Sequence, residues 1–210
     1  MFIAGCSVLC LLVCLPLFLV YQKNRPALAA CFKSLGTFCA LVIALVAAVR
    51  LDQRCWICVS ALALHAAADF VLEYSLAVGM GLFLCGHICY IGFFLVLFPV
   101  SIVHLICFAC LIGIAVFVLY SWRRQAGKQL PLFVFYATVL CAMTACGVAG
   151  GIRAFSLQGL LTAIGAAMFL FSDLLVCRKL LFPSGRLMPW IIMITYYCAQ
   201  LLFASSCLLI

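Results

Sequence analysis

The chain has 210 residues, of which 70% are hydrophobic and 8% are charged. Soluble domains contain roughly 45–50% apolar and about 25% charged residues, so a water-soluble fold could not hide this much apolar surface. The formal net charge is +8, but the twelve Lys and Arg residues are divided among short stretches between apolar runs. This distribution indicates membrane topology and lipid-headgroup contact, and it argues against a nucleic-acid partner.

The apolar stretches are long and continuous and lack the alternation of membrane β-strands, so they predict helices. With about 20 residues per span, we expect an all-α polytopic membrane bundle of about eight transmembrane helices, in a single domain over residues 1–210. Because the first basic residue, Lys23, follows the first apolar run, we expect that run to be a span and not a cleaved signal. The expected spans lie near 2–21, 27–49, 55–74, 76–98, 100–121, 130–151, 158–177 and 187–208.

The basic residues predict the orientation in the membrane. Arg50, Arg54 and Arg153 follow even-numbered spans. The larger group follows odd-numbered spans and consists of Lys23, Arg25, Arg123, Arg124, Lys128, Arg178, Lys179 and Arg186. The positive-inside rule therefore places the odd-numbered loops in the cytoplasm and both termini on the opposite side. The charge distribution fits insertion in a bacterial inner membrane and in the endoplasmic reticulum equally well.

Sixteen cysteines occur, nearly all of them within apolar runs, where they act as small hydrophobic residues. Two pairs have CxxC spacing, Cys55/Cys58 and Cys107/Cys110. Neither pair lies in an extended loop that a redox partner could reach, so a redox role is the less favoured alternative. We expect neither a cofactor nor a metal site.

Four ionisable residues fall inside predicted spans: Lys33, Asp69, Glu73 and Asp173. A charge near the centre of a span costs about 2.5–3.5 kcal/mol on insertion scales, so such residues are usually functional. A helical rise of 1.5 Å per residue places Lys33, Asp69 and Asp173 about 7–12 Å inside the same, cytoplasmic interface. Glu73 lies nearer the interface, where its side chain can reach the headgroups. A cluster of this kind favours acid–base chemistry over isolated structural ion pairs.

Further polar residues extend this cluster along the helices. His65 lies one turn before Asp69 on the same helix face, and His87 and Tyr197 lie near mid-membrane. His104 stands alone on an apolar span, and we interpret it as a core residue. Tyr90 lies one turn after His87, and Gln200 lies one turn after Tyr196. Ser172 is adjacent to Asp173, and Tyr196 is adjacent to Tyr197.

Several short sequence motifs, in their order and spacing, resemble those of the YhhN family of membrane lysoplasmalogenases over nearly the whole chain. The early intramembrane lysine lies in Ala30–Leu35 as ACFKSL, and a small-residue run ends at Asp69 as AAAD. Two features depart from the family pattern, namely Ala68 in place of the usual glycine and Ser34 in the position after the lysine. The other matching positions are Gly79, Phe83, His87 and Tyr90, then Gly165, Ala166, Phe169, Ser172 and Asp173, and finally Tyr196–Leu202 as YYCAQLL.

The resemblance implies hydrolysis of the vinyl-ether bond of lysoplasmalogens, which releases a fatty aldehyde and a glycerophospho-base carrying choline or ethanolamine. It implies that Asp69 and Asp173 are the catalytic pair, with the identity of the acid open. Lys33, together with Arg178 and Lys179, would hold the substrate phosphate. The remaining candidate substrate-binding residues are His87, Tyr196, Tyr197 and Gln200, with His65, Glu73, Tyr90 and Ser172 as weaker candidates. The implied partners are a lysophospholipid substrate and membrane lipids, whereas headgroup preference and oligomeric state stay open.

An intramembrane carrier or lipid-handling protein is the main alternative, because it would use the same cluster for binding or proton coupling. Asp69 and Asp173 lie 104 residues apart, which is compatible with a four-plus-four repeat. However, no pair of matching spans is interrupted by Pro or Gly, and polar residues are sparse beyond mid-membrane. These features favour a closed pocket, and therefore an enzyme, over a continuous path.

The orientation can be tested by labelling. In a cysteine-free variant, a reporter cysteine at Gln125→Cys should react with an impermeant reagent from the cytoplasmic side, and one at Gln53→Cys from the opposite side. The excess of positive charge in the odd-numbered loops is the reason. Reversed labelling would contradict the orientation and move the ionisable cluster to the other interface.

Overall fold

The computed structural model describes residues 2–210, which are helical apart from short connections. No strand occurs within this range, and the all-α fold class is confirmed. We number the helices as α1 Phe2–Tyr21, α2 Pro26–Arg50, α3 Cys55–Val71, α4 Leu76–Leu97, α5 Ile102–Ala126, α6 Leu130–Ala154, α7 Leu157–Leu181 and α8 Met188–Ser206.

The connection between α5 and α6 differs from the prediction. It is a 3₁₀ turn, Gly127–Gln129, which joins the two helices into one continuous segment, Ile102–Ala154. Gly127 has a φ of +51°, a left-handed conformation that glycine adopts without steric cost, and α5 packs back against α6. Residues 2–210 therefore form seven continuous helical segments instead of about eight, because this connection is itself helical, but the chain reverses there and α5 and α6 are two helices packed against each other.

The helices have the length and surface of membrane spans. Six segments are long and apolar enough to cross a bilayer, and Cys55–Val71 is a shorter apolar helix of 17 residues. Large apolar side chains face outward, such as Phe117, which is 73% exposed, and Ile102, which is 68% exposed. Because a helix satisfies its own backbone groups and lipid solvates these side chains, the chain is a multi-pass integral membrane protein.

Six helices form a closed ring. Each of α2, α3, α4, α6, α7 and α8 packs against the next in that order, and α8 returns to α2. α1 packs on α2, and α5 packs on α6. Where α2 lies against its neighbours, Ala40, Ala44 and Ala47 are fully buried, so that small side chains allow the close approach.

Asp52 lies in the connection between α2 and α3. Its Oδ2 accepts a hydrogen bond from Nη2 of Arg54 at 2.8 Å. The bonds from Arg54 lower the pKa of the Asp52 carboxyl below its ordinary value. Asp52 and Arg54 thus form an ion pair in an exposed loop. The three other acidic residues, Asp69, Glu73 and Asp173, lie elsewhere.

The packing of α3 against α4 depends on the absence of a side chain at Gly86. A Cβ atom there would overlap the buried imidazole of His65. Gly86→Ala should therefore destabilise the protein by about 1–3 kcal/mol, the usual cost of overpacking, measured as a lower Tm in detergent. Gly81→Ala on the same helix is the matched control, since no atom outside its helix lies within 4 Å of the place that its methyl group would occupy. An equal Tm for both variants would contradict this packing.

Candidate active site

A cavity of about 350 Å³ lies at the end of the bundle where α3, α5 and α7 finish and α2, α4, α6 and α8 begin. Most of its lining side chains are apolar. The four intramembrane ionisable residues identified from the sequence all contribute to its wall, namely Lys33, Asp69, Glu73 and Asp173. All eight helices contribute residues to the wall of this one space.

Asp69 is fully buried and receives its hydrogen bonds on one oxygen. Its Oδ2 accepts a bond from the Tyr196 hydroxyl at 2.8 Å and another from the Thr37 hydroxyl at 2.5 Å. Its Oδ1 accepts no hydrogen bond from the described residues. The Nζ of Lys33 lies 3.8 Å from Oδ1. Asp69 thus has one oxygen held by donors from α2 and α8 and one oxygen available beside a cation.

Lys33 lies between two carboxylates. Besides its contact with Asp69, its Nζ donates to Oε1 of Glu73 at 3.3 Å, from a side chain that is largely buried. Glu73 lies in the turn that follows α3. The hydroxyl of Tyr197 donates to the main-chain carbonyl of Lys33 at 2.9 Å, which ties α2 to α8. These contacts fix the position of the ammonium group at the cavity wall.

Asp173, on α7, is held by a different tyrosine. The Tyr136 hydroxyl donates to its Oδ2 at 2.6 Å. The Nε2 of His87 lies 3.0 Å from that hydroxyl and 3.6 Å from Oδ2 itself. The chain His87, Tyr136 and Asp173 therefore connects α4, α6 and α7.

A polar layer made of His65, Gln200 and Tyr90 lies beneath the cavity and does not line it. The Nε2 of His65 is 3.3 Å from the carbonyl oxygen of Phe83, which can only accept, so the proton of the ring lies on Nε2. The amide nitrogen of Gln200 then donates to Nδ1 at 2.8 Å, and its amide oxygen accepts from Tyr90 at 2.6 Å. Every polar group of this layer is satisfied, so the layer supports the site from below.

The candidate residues fall into two groups by position. Those that line the cavity are Lys33, Asp69, Glu73, Ser172, Asp173 and Tyr196. Those that lie behind it are His65, His87, Tyr90, Tyr197 and Gln200. Ser172 donates its hydroxyl to the carbonyl of Ile192 at 3.0 Å, so this side chain serves the contact between α7 and α8.

Two residues that hold the aspartates were not identified from the sequence. Thr37 lies four residues after Lys33 and so on the same helix face, a spacing that could have revealed it. Tyr136 gave no signal, because a lone tyrosine near the start of a span is typical of the membrane interface. Both side chains are uncharged, so the cost of placing a charge inside a span, which identified Lys33 and the aspartates, does not apply to them.

The cysteine pairs and His104 lie away from this cavity. Cys55 and Cys58 are buried near the start of α3, at the opposite end of the bundle, and all cysteines in residues 2–210 are free thiols. His104 is buried near the start of α5, where its Nδ1 lies 3.0 Å from the Ser101 hydroxyl. Within the same range, no group of three His, Cys, Asp or Glu side chains is placed to hold a metal ion.

The comparison with protein families matched the YhhN family over residues 28–207. No curated protein and no solved structure was found to match the chain. The matched region includes both cavity aspartates and all of their hydrogen-bond donors. The chain therefore belongs to the YhhN family.

Proposed function

We propose that this membrane protein is a hydrolase that cleaves the vinyl-ether bond of lysoplasmalogens to a fatty aldehyde and a glycerophospho-base. The observation that carries the proposal is that Asp69 and Asp173, from different helices, line one largely apolar cavity. A lipid with a single hydrocarbon chain presents both the apolar body and the polar end that such a cavity requires.

The reaction needs two groups with different duties. A vinyl ether is hydrolysed by protonation of its β-carbon, which creates an oxocarbenium ion that water attacks. The site must supply a proton donor, a negative charge near the cation and a base for the water. Glycosidases divide these duties between two carboxyl groups around a similar cation. Asp69 and Asp173 each keep one oxygen, Oδ1, that accepts no hydrogen bond from residues 2–210 and so has the capacity to accept a proton from substrate or water.

The rest of the cavity wall suits the two ends of the substrate. Leu111, Ile114 and Val118 of α5 offer an apolar surface to the hydrocarbon chain. Lys33 and Lys179 offer positive charge to the phosphate. Lys179 forms no ion pair within the described residues, whereas Lys33 is shared with Glu73. Lys179 is therefore the more available of the two cations.

The aspartates are tested by Asp69→Asn and Asp173→Asn, which keep the size of each side chain but remove its acid–base chemistry. Each variant should lower kcat by at least about 100-fold, the usual scale of acid–base catalysis. The double variant should be barely slower than either single one, because residues that act as a unit are strongly non-additive. The measurement is aldehyde release from a synthetic lysoplasmalogen by the purified protein in detergent, with Tm as the control for folding.

The chemistry of the step has its own signature. In D₂O, the wild-type rate should fall, and the aldehyde, trapped at once by reduction, should carry one deuterium on the carbon next to the carbonyl. Near-normal turnover by both Asn variants would contradict the paired-carboxylate mechanism. Binding of the lipid without any aldehyde release by the wild type would favour the carrier or lipid-handling alternative.

The phosphate contacts are tested by Lys33→Met and Lys179→Met. Each variant should raise KM by about tenfold, the value of one hydrogen bond to a charged group. Lys179→Met should lower kcat less, because the phosphate is remote from the reacting carbon, whereas Lys33→Met also removes the cation beside Asp69 and should lower kcat as well. Lys128→Met is the control, since this exposed lysine lies near the same end of the bundle but does not line the cavity. A large loss of kcat at unchanged KM would instead place the affected lysine in the chemical step.

A further inference from the structure

We propose that Tyr136 is a positioning residue that, supported by His87, makes Asp173 the general acid and leaves Asp69 as the base. The inference rests on the proposed hydrolysis and adds an assignment of roles to it. Its basis is the direction of the hydrogen bonds that reach the two carboxyl groups.

The phenol of Tyr136 has a single proton and two polar neighbours. The nearer neighbour is Oδ2 of Asp173 at 2.6 Å, which can accept a hydrogen bond both in the carboxylate and in the acid form that carries its proton on Oδ1. The phenol proton therefore points to Asp173, and the phenol oxygen is left to accept. The Nε2 of His87, at 3.0 Å, must then carry a proton and donate it. The bonds run in one direction, from His87 to Tyr136 to Asp173.

This direction determines which oxygen of Asp173 can deliver a proton. Since Oδ2 already accepts from Tyr136, the proton of the acid form lies on Oδ1. After that proton has left, the new carboxylate keeps the Tyr136 donor without any rearrangement. Donors that are in place before the charge develops are an effective form of transition-state stabilisation.

Asp69 has a contrasting environment. Two hydroxyl groups donate to its Oδ2, and Lys33 places a positive charge 3.8 Å from its free Oδ1. The Lys33 ammonium offsets part of the cost of burying a charge on Asp69, so that this carboxylate can face the oxocarbenium ion and accept a proton from water. Two carboxyl groups in different environments can thus perform opposite duties in one reaction.

The protons balance over the cycle. Asp173 transfers the Oδ1 proton to the β-carbon of the vinyl ether, and water adds to the oxocarbenium carbon while its proton passes to Asp69. In the resulting hemiacetal, the C–O bond to the glycerol breaks as Asp69 returns that proton to the leaving oxygen. The hemiacetal hydroxyl proton passes to Asp173 as the aldehyde forms. Tyr136 and His87 keep their protons throughout.

The kinetic test is Tyr136→Phe, which removes one hydroxyl. It should lower kcat by about 10- to 100-fold, somewhat less than the loss of a whole oxyanion donor set, and should leave KM unchanged. In an Asp173→Asn background, the same change should lower the residual rate less than about twofold, because Tyr136 acts through Asp173. Tyr120→Phe on the exposed face of α5 is the matched control and should behave as wild type.

A second readout does not depend on turnover. The chain has three histidines, so ¹⁵N-histidine labelling gives few ring signals, and His87→Gln identifies those of His87. We expect a protonated Nε2 in the wild type. Asp173→Asn should shift the His87 ring signals when Tyr136 is present and should shift them much less in Tyr136→Phe.

These experiments distinguish failure of the Tyr136 assignment from failure of the proposed hydrolase activity. Full activity of Tyr136→Phe would overturn the role of Tyr136 and leave the hydrolase proposal intact. The same conclusion would follow if neither Asp173→Asn nor Tyr136→Phe shifted the His87 ring signals. Absence of aldehyde release from the wild type, with the His87 coupling observed, would overturn the hydrolase and with it the assignment of acid and base. Reduced kcat at constant KM together with the coupled shifts would support both.

Discussion

Carboxyl groups inside a bilayer must obtain their hydrogen-bond donors from the protein, because lipid offers none. Asp69, on α3, takes its donors from α2 and α8. Asp173, on α7, takes its donor from Tyr136 on α6, which His87 on α4 contacts in turn. These contacts involve all six helices of the ring. The rotation of each ring helix is therefore constrained by the same two acidic residues that line the cavity.

The two carboxyl groups are close enough to share a cavity, yet their hydrogen-bond networks are separate. Phe169 lies between His87 of one network and Tyr196 of the other, with its ring centroid 4.9 Å from that of His87 and 5.4 Å from that of Tyr196. No hydrogen bond within residues 2–210 joins the partners of Asp69 to those of Asp173. A proton that moves from one carboxyl group to the other must therefore travel through molecules in the cavity, as the proposed hydrolytic cycle requires of substrate and water.

The sequence predicted the level of the site residues along their helices better than it predicted which side chains line the cavity. Depth follows from a constant rise per residue, so Lys33, Asp69 and Asp173 could be placed at one level before any packing was known. Which side chains face the cavity depends on helix rotation and on which helices are neighbours, and an apolar chain carries little periodic signal for either. His87 and Gln200 were consequently expected at the substrate but lie behind the wall. The uncharged donor Tyr136 could be recognised only from its contacts.

The position of α5 is consistent with the proposed lipid substrate of the cavity. This helix lies outside the ring and packs mainly on α6, its hairpin partner. On one face, Leu111, Ile114 and Val118 border the cavity, whereas Phe117 is 73% exposed toward the surrounding lipid. A single helix thus separates the apolar part of the cavity from the bilayer. Because a hydrocarbon chain gains little by moving between two apolar environments, binding selectivity must come from the polar end, where both aspartates and the two cavity lysines lie.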